Sequence, residues 1–127
     1  MVPGPFQKQR RIIMAKGLNF RNFNQPTLPI NMNDADETLF TITAPTVELV
    51  ERLEANQEAI TAVFARGNRE SLNEIWELAA ALISCNREHR TVTVADLKGK
   101  YGVSYEMLYA FILAYSGFIK EIENAKN

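Results

Sequence analysis

Apolar residues between positions 104 and 123 recur at helical spacing on three sides of one segment. Leu108, Phe111, Ile112, Tyr115, Ile119 and Ile122 form one stripe at three- and four-residue steps. Ala110, Ala114 and Gly117 form a second, of side chains small enough to let another helix approach closely. Tyr105, Tyr109 and Leu113 form a third. A helix that is apolar nearly all round is buried among neighbours or completed by another chain. The upstream chain is therefore expected to cover it.

Residues 14–25 are polar, with isolated Leu18, Phe20 and Phe23, and predict irregular structure. Residues 27–32 (TLPINM) predict a short strand, which Pro29 confines to an edge because proline has no N–H for the ladder. Residues 33–36 are a turn by composition. Residues 38–43 alternate Phe40 and Ile42 with Thr41 and Thr43, the two-residue period of a half-buried strand. The two strands make a hairpin, which needs a helix to pack on. A first helix is predicted from Ala44-Pro45-Thr46 to about Arg66, with Thr43 or Thr46 as cap. Its apolar face reads Val47, Val50, Leu53, Ile60, Val63 and Phe64, is interrupted at Gln57, and ends at Gly67. A second helix over about 69–84 sets Leu72, Ile75, Trp76, Ala79, Leu82 and Ile83 against a polar face, with Trp76 in the core. Residues 85–90 read as a polar loop and 91–94 as a brief extended piece. Thr93 and Asp96 have the spacing of a capping box for a short helix that runs to Tyr101 and stops at Gly102. Ser104 then caps the last helix. The fold class is mainly α: about four helices with a small N-terminal β-hairpin, in a single domain over residues 14–127.

Residues 1–13 (MVPGPFQKQRRII) fall outside that pattern. They predict a disordered basic arm or a vector-derived remnant, or a translated leader. Arg10-Arg11 can be encoded AGG-AGG, a bacterial ribosome-binding sequence, two codons before Met14. Met14 is then the expected native start.

Composition narrows the function. Lys and Arg number 14 against 15 Asp and Glu, a net charge of -1 in 127 residues, so nothing advertises nucleic acid or an anionic membrane. The apolar share of 46% supplies a core. The longest apolar run is far short of the roughly 20 residues that span a bilayer, and no signal peptide is visible. A single cysteine, Cys85, excludes an internal disulfide and fits a reducing compartment. Together these predict a soluble intracellular protein.

Candidate chemistry is sparse. His89, the single histidine, sits in a loop between Glu88 and Arg90 and has no second histidine for a metal site. Cys85 and His89 lack the rest of a nucleophilic constellation. Gly99 and Gly102 do not make a phosphate loop. Glu48, Glu51, Glu54 and Glu58 line the first helix as a solvated face. The expectation is a non-enzyme without metal or cofactor. Residues 94–115 have the cadence of a helix-turn-helix, with Gly102 and Val103 at the turn. A DNA-binding regulator is therefore the alternative function. The would-be recognition helix opens with Ser104, Tyr105, Glu106, Met107 and Tyr109 and has no basic residue before Lys120, which argues against nucleic acid.

The run from residue 20 to residue 127 resembles the small tail assembly chaperones of long-tailed, siphovirus-type bacteriophages and prophages of Gram-positive hosts. The resemblance rests on the hairpin, the T-A-P-T join at 43–46 and the helix pair with a polar break at Cys85-Asn86-Arg87. It continues in T-V-A-D-L from Thr93 and in the terminal helix with Ala114, Tyr115, Phe118 and Ile119, ending in Lys126-Asn127. It implies a non-catalytic protein that binds the tape-measure protein during tail assembly in the host cytoplasm and is absent from the finished virion. It also implies a longer product made by frameshifting, for which Ala125-Lys126-Asn127 can encode a slippery heptamer. Periodicity, not the family, supplies the candidates for client or self contact: Tyr105, Met107, Tyr109 and Phe118, with the Ala110, Ala114, Gly117 stripe. A homo-oligomer is expected through them.

Overall fold

The structure is a computed structural model and describes residues 25–125. The leader expected at 1–13, the start at Met14, the apolar positions at 18–23 and the terminal Lys126-Asn127 lie outside the described residues. The fold is mainly α with a small hairpin on its N-terminal side, as the periodicity predicts.

Strand β1 (Leu28–Asn31) pairs antiparallel with β2 (Leu39–Ile42), setting Leu28 opposite Ile42 and Ile30 opposite Phe40. Asp34 closes the turn: its carboxylate accepts the Thr38 N–H at 2.8 Å and the Thr38 hydroxyl, and its carbonyl accepts the Glu37 N–H at 3.0 Å. Pro29 lies opposite Thr41, whose backbone faces away from β1. The Thr41 carbonyl accepts the Arg87 N–H at 2.9 Å, and its N–H donates to Glu88 Oε1 at 2.8 Å. The N–H that Pro29 lacks therefore belongs to the outer side of the strand, and no ladder bond is lost. Phe40 and Ile42 are fully buried, as their alternation predicts.

The single helix expected to run to Arg66 is two helices, α1 (Val47–Ala55) and α2 (Gln57–Arg66). Asn56 breaks it. The Asn56 side-chain amide donates to the Arg52 carbonyl at 2.8 Å, satisfying one of the groups that a helix end leaves open. The buried face of α1 also differs from the expected one. Leu49, absent from the expected apolar face, is buried, whereas Val47 is 77% exposed. Thr46 is the cap, its hydroxyl accepting the Leu49 N–H at 3.3 Å. Gly67 ends α2 in the left-handed region at φ 73°.

Helix α3 (Leu72–Ile83) is the centre of the fold and contacts α1, α2, β2 and the last helix. Ile75, Leu78, Ala79 and Leu82 are fully buried, and Trp76 is buried with Lys98 Nζ 5.0 Å above its ring. The polar segment after α3 is more ordered than a loop. Ile42 bridges to Asn86, and the Cys85 carbonyl accepts the Thr43 N–H at 2.8 Å, so the segment lines the second edge of β2. Asn86 is buried and bonded on both sides, its amide donating to Ile83 and Arg90 carbonyls and its oxygen accepting the Arg90 N–H. The extended piece expected at 91–94 is not a strand. There the Ser84 hydroxyl accepts the Val92 N–H at 2.9 Å.

The capping box forms in both directions: Asp96 Oδ2 accepts the Thr93 N–H at 3.1 Å, and Thr93 Oγ1 accepts the Asp96 N–H at 3.0 Å. The helix it opens turns wide over Asp96–Lys100, where the Tyr101 N–H reaches back five residues to the Asp96 carbonyl at 2.9 Å. Gly102 follows at φ 62° and is held to the hairpin: Asn33 donates its N–H to the Tyr101 carbonyl and its amide to the Gly102 carbonyl. This staple sets where α4 (Tyr105–Ala125) begins. Ser104 caps α4, accepting the Met107 N–H at 3.2 Å.

Candidate functional site: the outer face of the last helix

Three arcs of α4 have different fates. Leu108, Phe111, Ile112, Tyr115 and Ile122 are buried, with Ile119 half-buried beside them. Phe118 joins this arc at 3% exposure, its ring 5.5 Å from that of Tyr115. Expected at a contact surface, it instead lies three residues after Tyr115 and four before Ile122, and so shares their buried face in this chain. The Tyr115 hydroxyl is buried without a hydrogen-bond partner. Burial, with a smaller contribution from nearby Cys85, pushes its pKa well above the ordinary phenol.

One flank is aromatic. Phe64 of α2 lies 5.5 Å from the Tyr105 ring and 4.8 Å from the Tyr109 ring. The Tyr105 hydroxyl donates to the Val63 carbonyl at 3.4 Å, and the Arg69 guanidinium sits 4.5 Å above its ring. Tyr105 is thus half-buried and engaged in holding α4 to α2. Tyr109 keeps one side in contact and remains 42% exposed.

The other flank faces the hairpin. An open groove of about 420 Å³ runs between β1 and α4, with Ile30, Met32, Met107, Ala110, Phe111 and Ala114 on its walls. Between the flanks lies the solvent arc, which includes Ala110, Leu113, Ala114 and Gly117, all exposed. Leu113 is the most exposed large apolar residue on the helix at 56%, followed by Tyr109 and by Met107 at 40%. The structure therefore brings Met107, Tyr109, Ala110, Ala114 and Gly117 to one accessible surface, and Leu113 belongs with them. The sequence had set Leu113 beside Tyr109 by spacing, but nothing local distinguished the open side from the covered ones.

The residues considered for chemistry stay apart from this surface. His89 is exposed in the loop after α3, at φ 58°. Glu88 holds the hairpin through Thr41, whose backbone N–H and then hydroxyl keep its carboxyl below the ordinary range. Among the described residues, no group of three His, Cys, Asp or Glu side chains could hold a metal ion, and no helix is long and apolar enough to cross a membrane.

The fold and this surface define a mainly α domain whose last helix is buried on one side and apolar on the other. Comparison with protein-family models, curated proteins and solved structures finds no match to the chain.

Proposed function

We propose that the protein acts by binding, and that it is a tail assembly chaperone of a long-tailed bacteriophage whose client is the tape-measure protein. The observation that carries this reading is the exposed apolar surface of α4 together with the groove beside β1. An amphipathic client helix laid into such a groove buries apolar surface that would otherwise aggregate. In this scheme the protein works in the host cytoplasm and leaves before the virion is complete. The family assignment itself rests on the order of elements and the joins at 43–46 and 93–97. The DNA-binding alternative draws little support, since Lys98 and Lys100, the basic residues nearest the turn, lie over the Trp76 and Tyr101 rings.

The test is co-expression with segments of the tape-measure protein, the long helical product expected from the neighbouring gene. The chaperone should keep a segment soluble and co-purify with it, and M107D should abolish both effects while leaving the helical circular dichroism unchanged. A segment equally soluble without the protein, or bound equally by M107D, refutes the proposal. A gel shift with mixed DNA at low salt serves as the contrasting measurement, with no retention expected.

A further inference from the structure

The solvent arc of α4 has a symmetry of its own. Glu106, Tyr109, Leu113, Gly117 and Lys120 lie on one stripe of the helix, and all five are exposed. The stripe reads symmetrically about Leu113. Glu106 and Lys120 are each seven residues from it, and Tyr109 and Gly117 each four. Turning a second copy end for end about an axis through Leu113 therefore sets each residue at the level of its complement. Glu106 meets the partner's acid-seeking end at Lys120. The large Tyr109 ring meets the level of Gly117, where an added Cβ would touch nothing within 4 Å. Leu113 meets itself. Among the described residues the one ion pair is Glu58 with Arg66, so neither Glu106 nor Lys120 is engaged there.

We infer that α4 pairs antiparallel with α4 of a second copy of this chain, across a two-fold axis at Leu113. A two-fold interface must be self-complementary, each position i meeting j while j meets i. The stripe meets that condition in charge and in size. A parallel pairing would set Glu106 against Glu106 and Lys120 against Lys120, and is disfavoured on charge. Ala110 and Ala114 flank the axis on the hairpin side, where their short side chains permit close approach of the helices. The inference does not depend on the identity of a client, and its failure would leave the chaperone proposal standing.

Disulfide trapping of the full chain in a C85S background tests the geometry. Leu113 sits on the axis, so L113C should give a covalent dimer under mild oxidation. N124C lies eleven residues from the axis, which places the two copies of that position roughly 33 Å apart at 1.5 Å per residue, and should stay monomeric. Sedimentation equilibrium tests the charges. E106K and K120E should each weaken dimerisation by about tenfold, since each change sets like charges together at two symmetric places. The double exchange E106K/K120E should restore it to within about threefold of the wild type, as expected for a directly coupled pair. Equal trapping at both positions would indicate a parallel pair or random collision and overturn the proposal. So would a monomer with the L113C thiol shielded from alkylation, which gives the face to another segment of the chain. A monomer with that thiol freely reactive, which gives the face to a different partner, overturns it as well.

Discussion

Gly67 and Gly102 have nearly the same left-handed backbone, at φ 73° and 62°, but opposite surroundings. A Cβ built at Gly67 meets nothing within 4 Å. One built at Gly102 comes within 2.8 Å of the Asn33 carbonyl oxygen, an approach that real Cβ atoms do not make. That oxygen belongs to the backbone of the hairpin, and Asn33 is fixed by its own bonds to Tyr101 and Gly102. It cannot swing aside as a side chain would. G67A should therefore cost only the left-handed conformation, about 1 kcal/mol. G102A adds to this the displacement of the hairpin from the turn. Losing the two Asn33 bonds at about 1 kcal/mol each brings the expected total to about 3 kcal/mol. Urea unfolding followed by circular dichroism measures both variants, with the midpoint shift read at constant slope. The difference between them isolates the staple from the backbone cost. Equal losses, or a smaller loss for G102A, would refute the claim that the hairpin is clamped to the turn before α4.

Other expectations follow from the buried arc and the capping carboxylates. F111A should destabilise by about 3–5 kcal/mol in the same unfolding assay, as for other buried aromatics. A loss under about 1 kcal/mol would mean that this side of α4 is not packed. Y115F removes a buried hydroxyl that has no partner and should leave stability unchanged or raise it by up to about 1 kcal/mol. A clear loss in thermal unfolding would reveal an acceptor at that hydroxyl. Asp96 is held below its ordinary 3.8 by the Thr93 N–H and then the Thr93 hydroxyl, Asp34 below 3.8 by the Thr38 hydroxyl and N–H, and Glu88 below 4.5 by Thr41. Depressed carboxylates stabilise above their unfolded-state values, and the unfolded chain takes up protons first on acidification. Stability should therefore begin to fall as the pH drops through 4.5 and 3.8, and the loss should be complete only below the lowered folded values. D96N should flatten that decline in urea midpoints measured against pH, and an unchanged slope would deny the capping carboxylate its role.

Local chemistry was legible in the sequence. Gly67, the Thr93 and Asp96 box and Ser104 stand where spacing sets them, and Thr46 is the one of the two candidate threonines that caps α1, because each acts within three or four residues. The strand alternation of Phe40 and Ile42 also survives intact. What escaped depends on distant partners or on competition. Asn56 ends α1 by turning its amide back on Arg52, a contest between side chain and backbone that the break at Gln57 only hinted at. The wide turn over Asp96–Lys100 lies beside a contact between Asn33 and Gly102, 69 residues apart, which no local window contains. Phe118 had the right spacing for the core, but on a helix apolar on every side the period alone does not say which arc is covered.

Helices α3 and α4 leave different kinds of residue open to solvent. Both helices bury one side in the same core. On α3 the exposed positions are Asn73, Glu74 and Glu77, as expected of a side that meets only water. On α4 the middle of the exposed side holds Tyr109, Ala110, Leu113, Ala114 and Gly117, and charge is confined to Glu106 at one end and to Lys120, Glu121 and Glu123 at the other. The composition of the chain does not force this difference, since the residues that would solvate α4 are present on α3. A packing requirement of the core does not force it either, because Leu113 contributes little burial where it stands. An apolar centre between charged ends suits a helix that meets another helix, and Glu106 comes level with Lys120 when the second runs the other way. In the proposed pair the groove along β1 lies beside the stripe centred on Leu113, with Met107 on its wall.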